Sequence, residues 1–375
     1  MKITQIEVIP YRIPNRAAHH IATLTLKALE NVLIRISTDE GIQGWGEAVS
    51  EAKWNSTVLE AHEAVLSRYL IPPLIGMDPL NVASIWRRME KTVNGHYSAK
   101  AAIDCALYDL IGHALGLPVW KVLGGAPDSL VVEVEGPGFG IGFMEPQEAA
   151  EFAFKAFSNG CQQIEVKGGH PGGWKRDLEV VRAVYEACGA GVSLKLDVTE
   201  AYSLKTALTA LPRMADFGVE WVEQPLPRHR LKELAKVRDA VPMGIVVEES
   251  VGHPSDILVL AELGVCDAVH VKLPMLGGLT MARQVATICA AAGLGVLPGS
   301  STPSGLGLAA VHQFAVTIPN RVRGCHGSPL ARAIDDIVVH PIDAFAPQVV
   351  LDDTPGMGVD INWEKVERYR IDKER

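Results

Sequence analysis

Five short apolar runs in this chain each end on a charged residue, and the runs follow one another at a nearly constant spacing. The runs are IEVK, LKLD, EWVE, GIVVE and AVHVK, and they end on Lys167, Asp197, Glu223, Glu248 and Lys272. Successive end residues are 30, 26, 25 and 24 positions apart, which is the length of one strand plus one helix. This repetition predicts an α/β protein with a TIM-like barrel of seven to eight β/α units.

Charged residues at the carboxyl ends of barrel strands project into the mouth of the barrel, where the active sites of this fold lie. Buried elsewhere, each of them would cost several kcal/mol. Any one of the five alone is more simply explained as an ordinary strand-end charge facing water, but five in consecutive register favour a shared site. Three carboxylates between two lysines therefore predict a divalent metal ion flanked by two proton carriers.

Ahead of the barrel, the sequence changes character. ITQIEVIPYRI and ENVLIRISTDEGIQGWGEAV alternate apolar and polar residues as strands do, and a helical pattern follows from Asn55 to Leu115. Within that pattern, AAIDCALYDLIGHALG carries apolar residues on one helix face. We therefore predict an α+β cap domain over residues 1–125, a catalytic barrel over 126–348 and a C-terminal segment, 349–375, that packs back on the cap.

The composition excludes several classes of protein. With 35 basic and 44 acidic residues the net charge is −9, and without a basic block nucleic acid and anionic membranes are poor partners. No apolar run reaches the roughly 18 residues needed to cross a bilayer, and the first residues do not resemble a signal peptide, so we expect a cytoplasmic protein. The six cysteines are dispersed without a CxxC pair, so neither a zinc site nor a disulfide framework is indicated.

Three longer segments accompany the five strand ends: NVLIRISTDEGIQGWGEA, AKAAIDCALYDLIGHALGLPVWKVLGG and KLPMLGGLT. In that order, they resemble three segments of the enolase superfamily: the cap meander, the cap helix with the start of the barrel, and the segment with a lysine and paired glycines. Within the superfamily, the resemblance is to the muconate-lactonising subgroup of the mandelate racemase/muconate lactonising enzyme family. The resemblance implies that Asp197, Glu223 and Glu248 hold magnesium, with manganese as the alternative. It also implies that Lys167 and Lys272 are acid/base lysines, whereas the mandelate-racemase subgroup has a histidine at the end of strand six.

The reaction that the resemblance implies is abstraction of a proton α to a carboxylate. Abstraction puts a second negative charge on the substrate as an enediolate, which magnesium held by oxygen ligands neutralises. A lysine serves as the base when burial, a second lysine and a nearby cation lower its pKa. Strands two and six lie on opposite sides of the mouth, so the two lysines reach both faces of one carbon. We therefore expect a racemase or epimerase of an amino-acid derivative.

The chain departs from the family pattern at several charged or polar positions. Glu165 stands where the family often has the first lysine of a Lys-x-Lys pair, and strand parity puts it beside Lys195, so we predict an ion pair one layer below the site. The third metal ligand is either Glu248 or Glu249, because successive strand residues face opposite ways. Thr199 stands where the family commonly has an asparagine, and we expect it to donate a hydrogen bond instead.

Substrate choice in this family comes from two mobile cap loops, which fall here at residues 15–21 and 50–56. An aromatic ring and titratable groups in these loops would close over an organic acid and exclude water. The candidates for substrate binding are His19, His20, Lys53 and Trp54 and, after the seventh strand, Ser300, Ser301 and Thr302. The two histidines are equally well explained as solvated loop residues, and the three hydroxyls as parts of a polar barrel loop.

Other functions stay open at this point. A muconate-type cycloisomerase or a dehydratase of a hydroxy acid or hydroxyproline would use the same enediolate. A different class is an aldolase-type barrel with a Schiff base on Lys272, but that mechanism has no place for the three carboxylates. A non-catalytic barrel would be expected to lose a lysine or a ligand, and this chain keeps all five. Family resemblance also implies a homo-oligomer that acts on a small carboxylate.

Overall fold

An antiparallel sheet of three strands opens the chain. The computed structural model describes residues 1–52, 57–125 and 128–372, with the side chain of Phe139 excepted. The strands lie in the order β1 (Ile3–His20), β2 (Thr25–Thr38) and β3 (Gln43–Val49). Their alternating apolar residues form one buried face, and this sheet is the predicted meander.

Strand β1 is longer than the sequence indicated. Residues 15–21 were expected to form a loop, and this is wrong for residues 15–20, because β1 continues to His20. Pairing with β2 is interrupted between Pro14 and His19 and resumes at His19 and His20. The expected mobility of this segment stays a prediction. The backbone N–H of Arg16 donates to the carbonyl of Arg332 at 2.7 Å, and that of Phe143 donates to the carbonyl of His20 at 2.8 Å. The segment is therefore a strand that is hydrogen-bonded to the barrel beside it.

The helices that follow pack on this sheet, and the longest of them is buried on more than one side. Its predicted apolar face is buried, but so are the remaining faces from Ser98 to Gly112, since the helix lies between β3 and the barrel. The close approach of this helix to β3 requires glycine in the strand, because a Cβ at Gly46 would lie 2.0 Å from the carbonyl oxygen of Ala102. The cap helices are α1 (Leu59–Val65), α2 (Val82–Thr92) and α3 (Tyr97–Leu115), with a π-helical turn at Leu66–Leu70 and a 3₁₀ turn at Pro72–Leu74.

Eight parallel strands form the barrel, in the spatial order β10-β9-β8-β7-β6-β5-β4-β11. The ring closes beside β11, where Val296 of β10 bridges Arg321 in parallel. The strands are β4 (Val131–Ile141), β5 (Gln163–Lys167), β6 (Ser193–Asp197), β7 (Val219–Glu223), β8 (Gly244–Val247), β9 (Ala268–Lys272), β10 (Gly295–Gly299) and β11 (Cys325–His326). The predicted TIM-like barrel is confirmed, and each predicted strand is present at its position.

Helices alternate with the strands and cover the outside of the barrel. They are α4 (Val119–Val122), α5 (Pro146–Ser158), α6 (Trp174–Cys188), α7 (Leu204–Met214), α8 (Leu231–Ala240), α9 (Asp256–Leu263), α10 (Leu273–Leu276), α11 (Leu279–Ala291) and α12 (Gly305–Ala315). The cap is tied to this layer by Asp104 of α3, which accepts hydrogen bonds from Trp86 Nε1 at 2.7 Å and from the N–H of Thr280 at 2.9 Å. This contact joins two cap helices to the start of α11.

The C-terminal part contacts both halves of the fold. Strand β12 (Gln348–Val350) pairs with β4, and α13 (Trp363–Tyr369) lies against β1. The ring of Trp363 packs edge-on against Trp45 of the cap, with centroids 5.2 Å apart. The boundaries drawn at residues 125 and 348 stay predictions. None of the helices in the described ranges is long and apolar enough to span a membrane, and all six cysteines are buried and unpaired.

Candidate active site

The five charged strand ends converge at the mouth of the barrel. Parallel pairing puts Lys167 level with Asp197, and Asp197 level with Glu223, so three neighbouring strands present their charges at one height. All five side chains are buried, with exposed fractions from 1% at Glu223 to 7% at Lys167. The pattern predicted from strand spacing therefore forms a single charged cluster inside the protein.

Lys167 is held by two carboxylates. Its Nζ donates to Asp197 Oδ2 at 2.7 Å and makes a short contact with Glu165. Burial alone would lower the pKa of Lys167, but the negative charges of Asp197 and Glu165 outweigh it and raise the pKa above its ordinary value. In this arrangement Lys167 is protonated and is the proton-donating form of an acid/base group.

Lys272 is held in the same way on the other side of the mouth. Its Nζ lies 2.5 Å from Oε2 of Glu248. Burial lowers the pKa of Lys272, and the charges of Glu248 and Glu223 raise it further than burial lowers it. Each lysine of the predicted pair thus lies against one of the predicted metal ligands.

Asp197 is oriented by a residue two positions beyond the end of its strand. The backbone N–H and the hydroxyl of Thr199 donate to Oδ1 at 2.9 and 3.0 Å. Thr199 has φ +48°, a left-handed backbone that turns its N–H back toward the strand end. The expected hydrogen bond from Thr199 is confirmed.

Glu223 has a polar partner at each carboxylate oxygen, and one of these partners, His270, was not predicted from the sequence. Oε1 lies 2.6 Å from Nδ1 of His270, and Oε2 lies 2.6 Å from Nζ of Lys195. Burial lowers the pKa of His270 to about 3, so its ring is neutral and donates to the carboxylate. His270 lies two residues before Lys272 on β9, and this shared parity was the signal in the sequence that could have identified it.

The predicted ion pair below the site exists only as a longer contact. Lys195 Nζ lies 3.9 Å from Glu165, but its nearer partners are Glu223 at 2.6 Å and Glu135 at 3.0 Å. Glu165 instead takes Lys167 as its close partner. The layer therefore holds a chain of alternating charges rather than one isolated pair.

Glu248 and Glu249 both lie buried at the mouth. Glu248 contacts Lys272 and His270, and in the described residues its Oε1 has no hydrogen-bond partner. Burial, followed by the charge of Asp197, raises the pKa of Glu249 to about 8, so this second carboxyl is protonated at neutral pH. Burial also raises the pKa of Glu248 well above its ordinary value, so protonation does not distinguish the two carboxyls. Glu248 is the better candidate for the third ligand because its carboxylate lies beside Lys272 and His270 at the mouth.

The substrate-binding candidates fall into three groups. His19 is buried over the first barrel strand, where a Cβ at Gly142 would lie 2.8 Å from the imidazole, whereas His20 is exposed and contacts Thr25 at 2.9 Å. Lys53 and Trp54 lie outside the described residues. Ser300, Ser301 and Thr302 are buried, and the Thr302 hydroxyl donates to Glu51 at 2.9 Å.

The donor set suits a divalent cation centred on Glu223. Two groups in the described chain can bring one ligand atom from each member within 4.8 Å of the others: Glu223, Glu248 and His270, and Glu165, Asp197 and Glu223. In the described residues the predicted trio of Asp197, Glu223 and Glu248 is not such a group, although Glu223 belongs to both groups, Glu248 to the first and Asp197 to the second. A lysine lies against each of Asp197 and Glu248. Clustered carboxylates are the oxygen ligands that hard divalent ions take.

Comparisons with known proteins agree with this geometry. Residues 3–124 match the family model described as mandelate racemase / muconate lactonizing enzyme, N-terminal domain, and residues 148–366 match that of the enolase C-terminal domain-like family. These two matches cover most of the chain, and they correspond to the cap and to the barrel respectively.

Characterised relatives match along nearly the whole chain. The L-Ala-D/L-Glu epimerase of Bacillus subtilis is 29% identical over 96% of this chain and 97% of its own length. Muconate cycloisomerase 1 of Rhodococcus opacus is 29% identical over 98% of each chain. The crystal structure of N-succinyl Arg/Lys racemase from Bacillus cereus ATCC 14579 superposes with a TM-score of 0.93, 26% identity and coverage of 99% of this chain and 98% of that one.

Proposed function

Because the chain belongs to the mandelate racemase/muconate lactonizing enzyme family of the enolase superfamily, we propose that it is a divalent-metal-dependent racemase or epimerase. The proposed reaction removes the proton α to the carboxylate of an amino-acid derivative and returns a proton to the opposite face. The relatives described above are an epimerase, a cycloisomerase and a racemase, all of them isomerases.

The placement of the two lysines carries this proposal. Lys167 ends β5, the second barrel strand, and Lys272 ends β9, the sixth, so four strand positions in a ring of eight separate them. Both side chains are buried, and the carboxylates lie between them. A planar enediolate between two such groups is open to proton transfer on either face.

In this proposal the roles divide between the carboxylates and the lysines. Glu223, Glu248 and Asp197 would hold a divalent cation, magnesium or manganese, whose positive charge would stabilise the enediolate. One lysine takes the α proton at Nζ, and the other gives a proton to the opposite face. Burial excludes water from the reacting carbon, so the proton returns from a lysine rather than from solvent.

A lysine of this site is a base only when the carboxylate beside it is engaged elsewhere. The charges of Asp197 and Glu165 hold the pKa of Lys167 high, and the charge of Glu248 does so for Lys272. If a bound cation balanced those charges, burial would lower the pKa of each lysine. The contacts between lysines and ligands therefore favour a metal-dependent base over a permanently neutral one.

Cycloisomerisation is the second candidate, and the equal similarity to muconate cycloisomerase favours it. It shares the enediolate and the lysine pair and differs in the later fate of the intermediate, as does dehydration of a hydroxy acid. A Schiff base on Lys272 needs a neutral lysine without a metal, which the neighbouring Glu248 opposes. A homo-oligomer and a cytoplasmic location stay predictions.

Proton NMR in D₂O tests the proposal. The enzyme is incubated with Mg²⁺ and a pool of N-acyl amino acids, dipeptides, proline derivatives and betaines. We expect the α-proton signal of one class to disappear, to persist when EDTA is present, and to persist with the double variant Lys167→Ala/Lys272→Ala. The exposed lysine of α8, Lys232, supplies the matched control, and Lys232→Ala should exchange like the wild type.

Two other results are informative. Loss of a hydroxylated compound with a new alkene signal, or the appearance of a new ring, would assign a dehydratase or a cycloisomerase instead. A pool left wholly unchanged by the Mg²⁺-loaded wild type would contradict the proposed racemase.

A further inference from the structure

A buried aspartate in the helix layer joins the two loops that follow β5 and β6. Asp177 lies in the first turn of α6 and is 2% exposed. Its Oδ2 accepts hydrogen bonds from the N–H of Gly169 at 3.0 Å and from the hydroxyl of Tyr202 at 2.6 Å, and its Oδ1 accepts one from the N–H of His170 at 3.0 Å. Gly169 and His170 follow β5, whereas Tyr202 follows β6. One carboxyl group therefore holds both loops.

The same two loops begin at charged residues of the site. Lys167 is the last residue of β5, and the N–H of Gly168, the next residue, donates to the carbonyl of Asp197 at 2.7 Å. Gly169 has φ +80°, and a Cβ there would lie 2.5 Å from the Cβ of Ala201. The loop after β5 therefore packs directly on the loop after β6, and a shift of one loop displaces the other.

Tyr202 donates the one side-chain hydrogen bond of this group. Burial, followed by the charge of Asp177, raises the pKa of the Tyr202 hydroxyl, so the hydroxyl keeps its proton and is the donor. The tyrosine is 5% exposed, which leaves water little access to the bond. Hydrogen bonds to a carboxylate are stronger than those between neutral groups. The hydroxyl of Tyr202 thus ties the loop after β6 to the helix that also holds the loop after β5.

The other lysine of the site is supported by different residues. Lys272 is followed directly by α10, and the segment after α10 is held by Asp104 of the cap, which accepts from the N–H of Thr280. Strand β9, which carries Lys272, lies three strand positions beyond β6. We propose that Asp177 and Tyr202 are positioning residues for Lys167 alone, so that they govern proton transfer on one face of the substrate. The inference rests on the proposed function and deepens it by separating the supports of the two lysines.

Variants with a single lysine separate the two faces. In Lys272→Ala only Lys167 is left to exchange the α proton, and in Lys167→Ala only Lys272 is left. Tyr202→Phe is added to each, and the α-proton signal that the wild type removes from the substrate pool is followed in D₂O with Mg²⁺. Because small displacements of a reacting group are costly, we expect Tyr202→Phe to slow exchange about tenfold in the Lys272→Ala background and less than about twofold in the Lys167→Ala background. Tyr185→Phe, the same change in the last turn of α6, is the control and should slow neither.

Amide hydrogen exchange of the full-length protein, followed by mass spectrometry, tests the placement without substrate or metal. Residues 168–173 should exchange about tenfold faster in Tyr202→Phe than in the wild type, because the carboxylate that holds them loses one of its hydrogen bonds. Residues 273–280 should exchange at the wild-type rate in the same variant. Asp177→Asn, whose Nδ2 cannot accept a hydrogen bond, is a second variant with the same expected pattern.

The outcomes separate this inference from the proposed function. Equal slowing of α-proton exchange in both lysine backgrounds, or slowing in neither, would overturn the inference while the proposed racemase would stand. Unchanged amide exchange of residues 168–173 would overturn it as well. A wild type that exchanges no α proton would contradict the proposed function and with it the role of Lys167, whereas the amide exchange would still report whether Asp177 and Tyr202 hold the loop.

Discussion

A buried glutamate at the junction of cap and barrel makes the stability of this protein depend on pH. Glu47 of β3 accepts hydrogen bonds from Asn31 at 2.8 Å and from the N–H of Ser304 at 3.0 Å, and it makes a short contact with the Tyr11 hydroxyl. Burial raises the pKa of Glu47 from 4.5 to about 7, although these hydrogen bonds lower it. The folded protein therefore holds a proton there that the unfolded chain has already released.

The sign and size of the effect follow from that shift. Between the two pKa values the folded state binds more protons than the unfolded state, so stability falls as pH rises from 4.5 to about 7 and levels off above it. At about 1.4 kcal/mol per pH unit, the wild type should lose about 2 to 3 kcal/mol through this group between pH 5 and pH 8. The Glu47→Gln variant cannot release the proton and should lack this part of the decline.

Urea unfolding of the wild type and of Glu47→Gln at pH 5 and pH 8 measures how much of the stability change this carboxyl causes. Because other buried acids contribute in both proteins, the informative quantity is the change in unfolding free energy of the wild type minus that of Glu47→Gln. Glu148 is exposed on α5, and Glu148→Gln should follow the wild type at both pH values. Equal declines in the wild type and in Glu47→Gln would refute the reasoning that this carboxyl is protonated in the fold.

Three further predictions concern packing and the site. Asp104→Ala leaves the N–H groups of buried Trp86 and partly buried Thr280 without their acceptor, and we expect a loss of about 3 to 5 kcal/mol in the free energy of urea unfolding. A loss below about 1 kcal/mol would contradict this prediction. Gly46→Ala should destabilise the protein by about 3 kcal/mol or more, because the new Cβ would meet the backbone at 2.0 Å. The control Gly191→Ala, whose Cβ has its nearest contact at 3.6 Å, should stay within about 0.5 kcal/mol of the wild type. Equal melting temperatures for the two variants would refute this prediction. Gly299→Ala should displace His270 and weaken Mn²⁺ binding in calorimetry, and an unchanged affinity would contradict the described packing.

The barrel was predictable because its signal is periodic and local. Charged residues such as Lys167 and Asp197 end apolar runs at strand-plus-helix spacing, and parallel pairing then brings them to one height. The cap meander was predictable for a similar reason, since alternation in β2 and β3 marks one buried face. These features depend on neighbours along the chain, which the sequence displays.

The parts that the sequence did not reveal depend on contacts between distant segments. His270 sits among apolar residues in AVHVK and resembles a core position there, and only the structure places it against Glu223. Residues 15–20 contain no strong strand pattern, yet they belong to β1, and backbone hydrogen bonds join Arg16 to Arg332 and His20 to Phe143. Lys195 was paired by parity with Glu165, whereas the curvature of the barrel brings Glu135 and Glu223 closer to it.

The central claim, two lysines acting on opposite faces of one carbon, is tested most directly by following each enantiomer separately. The substrate found in the D₂O assay is supplied as a single enantiomer to Lys167→Ala and to Lys272→Ala, and its α-deuteration and optical purity are measured together. The account predicts that neither variant racemises, and that each still exchanges the α proton of one enantiomer only, a different one for each variant. A single-lysine variant that still racemises, or that exchanges both enantiomers, would contradict it.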